Sequence, residues 1–172
     1  MSKTLLTVAI QYEQDVVVAR QRARQIAGLL GFDGQDQTRI STAVSEIARN
    51  AFRYAGGGRA EFTLEGESSP QLLIVRVTDQ GPGIADLAHV LSGRYRSTTG
   101  MGLGLIGAHR LMDQVDVRTA KAKGTEIVLK KILPLRAPLV TRTGLLRIVQ
   151  ELTARPPAGP VEEMQQQKQE LL

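Results

Sequence analysis

Residues 98–109 read TTGMGLGLIGAH, and two interpretations of this stretch predict different folds. From Gly102 it spells G-L-G-L-I-G, which satisfies the G-x-G-x-x-G pattern of dinucleotide-binding proteins. That pattern needs a strand directly before it and an acidic residue about 20 positions after it. Here GRYRSTT precedes the glycines and the basic AKAKG follows, so the dinucleotide interpretation is disfavoured. The sequence also lacks G-K-[ST], which excludes a P-loop.

The second interpretation uses three glycines at every second position, Gly100, Gly102 and Gly104, which lead into a predicted helix over residues 102–113. Glycine lets the backbone approach a phosphate closely, and the free amides of a helix N-terminus donate hydrogen bonds to it. The sequence therefore predicts a phosphate cradle without a lysine of its own. Its counter-charge must come from a metal or from arginines elsewhere.

Apolar periodicity predicts the elements around this cradle. The predicted strands are 3–10, 60–67, 71–79, 115–120 and 124–132, and the predicted helices are 13–30, 36–55 and 102–113. Turn residues join the second and third strands, and the fourth and fifth, as two hairpins. The order lacks βαβ repeats and predicts an α+β two-layer sandwich, with a mixed, mainly antiparallel sheet covered on one face by helices.

The character of the chain changes after Pro134. Residues 139–152 have helical spacing, ARPPAGP at 154–160 breaks it, and VEEMQQQKQELL at 161–172 has heptad-like intervals. We therefore predict two regions, a domain over 1–133 and a helical, coiled-coil-like extension over 134–172.

Composition limits the functional class. The 172 residues suffice for one domain with a sizeable core, and the absence of cysteine removes disulfides and thiolate metal sites. The net charge of +5 forms no dense basic tract, which gives nucleic-acid binding no support. The N-terminal apolar run is too short and too interrupted for a signal peptide or membrane span. We expect a cytoplasmic protein that binds neither nucleic acid nor membrane.

A candidate metal site lies in SEIARN at 45–50. Glu46 and Asn50 are four residues apart, so they share one side of the predicted helix. An amide oxygen suits Mg²⁺, and a neighbouring carboxylate can position or deprotonate a nucleophile. The alternative is a solvated polar pair on an amphipathic helix.

A candidate base-binding turn follows the apolar strand 71–79, where residues 79–84 read DQGPGI. Asp79 can accept a hydrogen bond from the exocyclic amino group of adenine, and Gly81 and Gly83 would let the base lie against the backbone. The alternative is an ordinary turn.

SEIARN, DQGPGI and TTGMGLGL, in that order and followed by GTEIVL, together resemble the GHKL (Bergerat-fold) nucleotide-binding superfamily over residues 3–133. The resemblance implies the Bergerat ATP-binding fold with ATP and Mg²⁺ as ligands. It makes Glu46 the general base, Asn50 the Mg²⁺ ligand, Asp79 the adenine-binding carboxylate and residues 84–100 an ATP lid. It also implies that Thr125 joins the adenine pocket through water, although a strand threonine with no such role is the alternative.

Within the superfamily, DQTRISTAVSEIARNAFRYAGGG and GMGLGLIGAHRLMD resemble the small bacterial anti-sigma and RsbT-type switch serine/threonine kinases. This resemblance implies a STAS-domain antagonist as substrate and a PP2C-type phosphatase as a further partner. The amides of Met101, Gly102, Leu103 and Gly104, together with Arg94 and Arg96, would then neutralise the transferred phosphoryl group. For the two arginines a solvated loop is the alternative.

The extension departs from this subgroup and leaves a second function open. The domain could be a non-catalytic ATP-binding module at the N-terminus of a longer histidine kinase or phosphatase. Neither His89 nor His109 lies on a separate phosphoacceptor domain, so a complete histidine kinase is not expected. The sequence does not decide whether the protein forms a homodimer.

Overall fold

The computed structural model describes residues 2–81, 101–120 and 124–157. Its elements are β1 Ser2–Ile10, α1 Glu13–Leu29, α2 Gly34–Ala55, β2 Gly58–Glu65, β3 Leu72–Asp79, α3 Met101–Leu111, β4 Gln114–Ala120, β5 Gly124–Ile132 and α4 Arg142–Ala154. Each element that the sequence predicts within these ranges is present, with ends shifted by at most three residues. The predicted helical segment 161–172 lies outside the described residues.

The five strands form one sheet in the order β1-β2-β3-β5-β4, and every neighbouring pair is antiparallel. The α+β sandwich is confirmed, and so are the two hairpins β2–β3 and β4–β5. The expectation of a mixed sheet is corrected for the described strands, because β5 inserts between β3 and β4 and runs antiparallel to both. This insertion also brings the start of β5 beside the end of β3.

α2 is the central helix of the layer that covers the sheet. Its N-cap Asp33 accepts a hydrogen bond from the amide of Asp36 at 2.8 Å, which satisfies one of the free amides of the first turn. It ends at Gly56, whose φ of 74° is left-handed and favours glycine. Its apolar stripe is buried against the sheet core at Ile40, Val44, Ile47 and Ala51, facing Phe62, Leu73, Val75 and Leu129 among others.

α4 packs on α1 and β1. Its buried side chains, which join the common core, are Leu145, Ile148 and Leu152. Arg22 Nη1 donates hydrogen bonds to the carbonyl oxygens of Leu152 at 2.7 Å and Arg155 at 3.2 Å, and Gln25 Nε2 donates to that of Arg155 at 3.0 Å. Carbonyls at a helix C-terminus lack intrahelical partners, so α1 supplies them. Burial at this contact lowers the pKa of the Arg22 guanidinium.

In the ranges that the structure describes, no helix combines the length and the apolar character needed to cross a membrane.

Candidate functional site

The candidate site lies at one edge of the sheet, where three strands begin or end. Asp79 is the last residue of β3, and its register partners are Thr125 of β5 and Gly58 of β2. α2 reaches the same edge, because a Cβ added to Gly81 would lie 2.5 Å from the Cβ of Ala55. The DQG turn therefore lies between the sheet and the end of α2.

Backbone amides fix the carboxylate of Asp79. Its Oδ1 accepts hydrogen bonds from the amide of Gly81 at 2.9 Å and from the amide of Thr125 at 3.2 Å. The Gly81 amide belongs to the turn that follows Asp79, and the Thr125 amide belongs to the neighbouring strand β5. The local turn and the pairing of β3 with β5 therefore both orient the Asp79 carboxylate. Oδ2 accepts no hydrogen bond from a described residue, and a carboxylate oxygen there can accept from a ligand donor, as predicted for an adenine amino group.

Thr125 is the buried neighbour of this carboxylate, with 8% of its surface exposed. Its hydroxyl lies 3.1 Å from the hydroxyl of Thr119 on β4, and the Thr119 hydroxyl lies 3.4 Å from the carbonyl oxygen of Gly124. Buried hydroxyls require such partners. The structure thus brings Asp79, Gly81 and Thr125 together. It adds Thr119, which no sequence motif marks beyond its position in a predicted strand.

Two glycines allow the neighbouring backbones to approach the end of β3. A Cβ on Gly124, whose φ is 85°, would collide with the Asp79 carbonyl oxygen, and one on Gly58 would collide with the Thr78 carbonyl oxygen. Gly124 begins the predicted strand 124–132 and Gly58 precedes the predicted strand 60–67. The pairing of β5 with β3, which places Gly124 beside Asp79, was not predicted.

Glu46 and Asn50 project from the C-terminal half of α2. The Glu46 carboxylate accepts a hydrogen bond and ion pair from Arg49 Nη1 at 2.9 Å, and both side chains are 40% exposed. Solvent-exposed ion pairs of this kind contribute little to the free energy of unfolding. The relevance of this pair is that Arg49 orients the Glu46 carboxylate. Arg49 was absent from the predicted site, although its i+3 spacing from Glu46 is visible in the sequence.

Asn50 contacts α3. A Cβ added to Gly104 would lie 2.9 Å from Asn50 Nδ2 and 3.6 Å from its Cγ and Oδ1, so glycine at this position lets the two helices approach. The Nδ2 atom is buried and has no hydrogen-bond partner among the described residues. It is a donor, so the atom that it suits is an acceptor such as a ligand oxygen.

α3 begins at Met101, so Met101, Gly102, Leu103 and Gly104 form its first turn. The first four amides of a helix have no intrahelical acceptor and carry the positive end of the helix dipole. These amides therefore lie at the N-terminal end of α3, and Gly104 links them to Asn50. Gly83, Arg94, Arg96, Gly100 and the predicted lid at 84–100 lie outside the described residues.

Two cavities flank the end of β3. One of about 520 Å³ is bounded by Ile10, Gln11, Arg59 and the glycine run 56–58, and one of about 300 Å³ by Arg118, Thr119 and Thr125. Asp79 and Gln80 line both. The Asp79 edge is thus open on both sides to a small molecule.

In the described part of the chain no three His, Cys, Asp or Glu residues cluster as a metal site. A cation bound here would therefore have few protein ligands, and oxygen atoms of a bound small molecule would complete its coordination. Mg²⁺ binds in this way, keeping waters and phosphate oxygens. The Asn50 amide beside the first turn of α3 fits that requirement.

Comparison with known proteins agrees with this geometry. A family model described as a histidine kinase-like ATPase domain matches residues 10–131. The chain is 42% identical over 120 residues to the serine/threonine-protein kinase RsbT of Bacillus subtilis, which covers 70% of this chain and 90% of that protein. It is 32% identical over 107 residues to the anti-sigma F factor of Pasteuria penetrans, covering 57% and 70%, and 28% identical over 104 residues to that of Clostridium novyi, covering 58% and 73%. The family match includes Glu46, Asn50, Asp79 and Thr125, and it ends before α4.

Proposed function

The chain belongs to the histidine kinase-like ATPase domain family, and on that premise we propose that it is an ATP-dependent serine/threonine protein kinase of the anti-sigma and RsbT type. The family match confirms the resemblance seen in SEIARN, DQGPGI and TTGMGLGL. ATP is the nucleotide that this family uses. The named relatives include both a serine/threonine kinase and anti-sigma factors, and this supports phosphotransfer to a protein.

The contact between Asn50 and Gly104 carries the proposal. It joins a helix that holds a candidate base to the first turn of a helix whose amides suit phosphate. Two backbone amides fix Oδ1 of Asp79, and Oδ2, which accepts from no described residue, offers an acceptor for the adenine amino group at the end of β3. One nucleotide can then be held at its base and at its phosphates.

We assign the proton transfer to Glu46. It lies one helical turn before Asn50 on α2, and its carboxylate is 40% exposed, so an acceptor side chain can reach it. The carboxylate takes the proton of a serine or threonine hydroxyl while the hydroxyl oxygen bonds to the γ-phosphorus. The bond from that phosphorus to the bridging oxygen breaks, and ADP leaves. Arg49 holds the carboxylate in place before the acceptor arrives.

We also propose Mg²⁺ at Asn50. The side-chain oxygen of Asn50 is the kind of ligand that Mg²⁺ takes, and the described residues hold no cluster of carboxylates, so phosphate oxygens would complete the coordination. The ion would withdraw charge from the phosphate oxygens when bound. The amides of the α3 first turn add donors on the same oxygens.

The protein partners follow from the kinase type and are proposals. We infer a STAS-domain antagonist as the acceptor in bacterial stress or sigma-factor signalling, a PP2C-type phosphatase as a further partner, and a cytoplasmic location. The named relatives support a partner of the anti-sigma antagonist type.

The test measures transfer and binding separately. The full chain is incubated with γ-labelled ATP, Mg²⁺ and STAS-domain proteins from the same genome, and mass spectrometry locates the phosphate. We expect serine or threonine labelling that Glu46→Gln lowers by at least about 100-fold while ATP affinity stays within about twofold. Glu65→Gln, at the exposed end of β2, is the matched control and should transfer normally. Tight ATP binding with no transfer to any STAS protein would instead favour a non-catalytic ATP-binding module.

A further inference from the structure

A groove at the opposite end of the molecule from Asp79 carries an inference independent of the proposed kinase activity. It has a volume of about 420 Å³ and lies between the end of α1, residues 138–140 and α4. We call it the α1–α4 groove and define it by Leu29, Leu139, Val140, Gly144, Arg147 and Ile148. One wall, α4, belongs to the part of the chain that follows the family match, and the other, the end of α1, lies inside the matched residues.

Both walls of the groove are anchored. α4 is held to α1 by Arg22 and Gln25 and by its buried leucines, as described above. The segment before α4 is held by Gln71, whose Nε2 donates to the carbonyl oxygen of Val140 at 3.1 Å and whose Oε1 accepts from its amide at 2.9 Å. Gln71 is itself only 3% exposed. The groove is therefore formed before any partner arrives.

The rim of the groove is apolar. Leu139 is 45% exposed and Leu29 is 37% exposed, and both line the same concave surface. Removal of apolar surface from water stabilises a complex, so these two partly exposed leucines beside a cavity present surface that a partner could bury. Leucines that line one pre-formed concave surface are a feature of grooves that bind an amphipathic helix.

The segment that leads into α4 is basic. Residues 134–150 contain Arg136, Arg142 and Arg147 and no acidic residue, and none of the three arginines makes an ion pair with a described residue. Arg147 lines the groove and makes no ion pair or hydrogen bond with any residue in the described ranges. The acidic residue that lines the groove, Glu151, is already paired with Arg155 at 2.6 Å. The groove thus combines partly exposed leucines with Arg147, whose charge is paired by no described residue.

We propose that the α1–α4 groove binds an acidic amphipathic helix of a partner protein. Such a helix would place a leucine-type ridge on Leu29 and Leu139 and a flanking carboxylate on Arg147. The concave, pre-formed shape favours a helix ridge over a flat lipid surface. The unpaired arginine favours an acidic partner over a neutral one.

The test uses a fluorescein-labelled helical peptide of about 15 residues, with leucine at i, i+4, i+7 and i+11 and glutamate at the flanking positions. A second peptide carries lysine in place of each glutamate. Fluorescence anisotropy with the full chain should show saturable binding of the acidic peptide and none of the lysine peptide. Absence of saturable binding of the acidic peptide, or equal binding of both, overturns the proposal.

The chain provides matched control variants. Leu139→Glu and Arg147→Glu should each weaken acidic-peptide binding by at least about tenfold. Leu146→Glu and Arg142→Glu alter an exposed leucine and an exposed arginine of α4 that do not line the groove, and they should bind normally. Equal losses in both pairs overturn the assignment to this groove. Thermal melting establishes that each variant is folded.

Three other results would assign the groove to a different occupant and overturn the proposal. A homodimer in light scattering that only Leu139→Glu dissociates would identify a second copy. Co-sedimentation with phosphatidylglycerol vesicles, lost in Arg147→Glu, without peptide binding would identify a membrane. Peptide binding that appears only after truncation at Pro157 would identify the chain's own residues 158–172 as the occupant.

Discussion

Substitution of Gly104 by alanine tests how the site is assembled. The added Cβ would lie 2.9 Å from Asn50 Nδ2, whereas optimal heavy-atom contacts lie near 3.5–4.0 Å, so the amide or the helix must move by about 0.5 Å or more. Alanine gains about 1 kcal/mol over glycine in a helix, and overpacking costs about 1–3 kcal/mol. The expected net change in the free energy of unfolding is therefore between about zero and a loss of 2 kcal/mol.

Gly107 is the matched control on the same helix. A Cβ there meets no described atom within 4 Å, so Gly107→Ala should gain the full helix-propensity term of about 1 kcal/mol. For a chain of this size that gain raises the melting temperature by about 2–4 °C. Gly104→Ala should melt below Gly107→Ala by at least a few degrees.

Calorimetry of ATP binding in the presence of Mg²⁺ supplies the second readout. If the Asn50 amide contacts the nucleotide complex, Gly104→Ala should weaken binding by about tenfold, and Gly107→Ala should leave it unchanged. The reasoning is refuted if the two alanine variants gain the same stability and bind ATP equally well. In that case the approach of α3 to Asn50 has no role in ligand binding.

Three further outcomes follow from the described contacts. Asp79→Asn should keep the acceptor that serves two backbone amides but turn a donor toward adenine, so calorimetry should show ATP affinity at least about tenfold lower with little change in the melting temperature; unchanged affinity would remove Asp79 from the base pocket. Gly124→Ala should lose at least about 2 kcal/mol in urea denaturation because of its φ of 85° and its clash with the Asp79 carbonyl, whereas Gly34→Ala, with open space around it, should change stability by about 0.5 kcal/mol or less. Arg22→Met should speed amide hydrogen exchange at the end of α4 and lower stability by about 1–3 kcal/mol, and full protection of α4 in this variant would contradict its anchoring role.

Local sequence patterns predicted the helices and strands of this fold because each pattern depends only on residues within one element. The apolar stripe in residues 36–55 predicted α2, which ends before Gly56. The N-cap Asp33 moves the start of the helix to Gly34. This cap is also visible in the sequence, as an Asp three residues before Asp36. The sheet order was not predictable in this way. Whether β5 pairs with β3, β4 or both depends on contacts between residues distant in sequence, and these decide that the described sheet is antiparallel throughout.

The site was predicted as residue types and not as contacts. Glu46, Asn50, Asp79 and Thr125 were named from motifs, and the structure shows which of them meet: Asp79 with Thr125, and Asn50 with Gly104. The Asn50 contact depends on how α3 lies across α2, and helix spacing alone does not define it. For this reason the sequence predicted Gly104 only as a residue whose backbone amide donates a hydrogen bond to phosphate. The structure also places it where α3 packs against Asn50.

The glycines around Asp79 look like turn residues in the sequence, and in the structure they allow the strands of the site to approach one another. A glycine that begins a strand looks like a turn from the sequence, because φ above zero and the absence of a Cβ suit turns. At Gly58 and Gly124 the absence of a Cβ lets the neighbouring backbones approach the end of β3. The Thr125 amide then comes within hydrogen-bond distance of the Asp79 carboxylate. A carboxylate oriented by amides of its own turn and of the adjacent strand needs no further side chain to hold it, and its second oxygen remains available to a ligand.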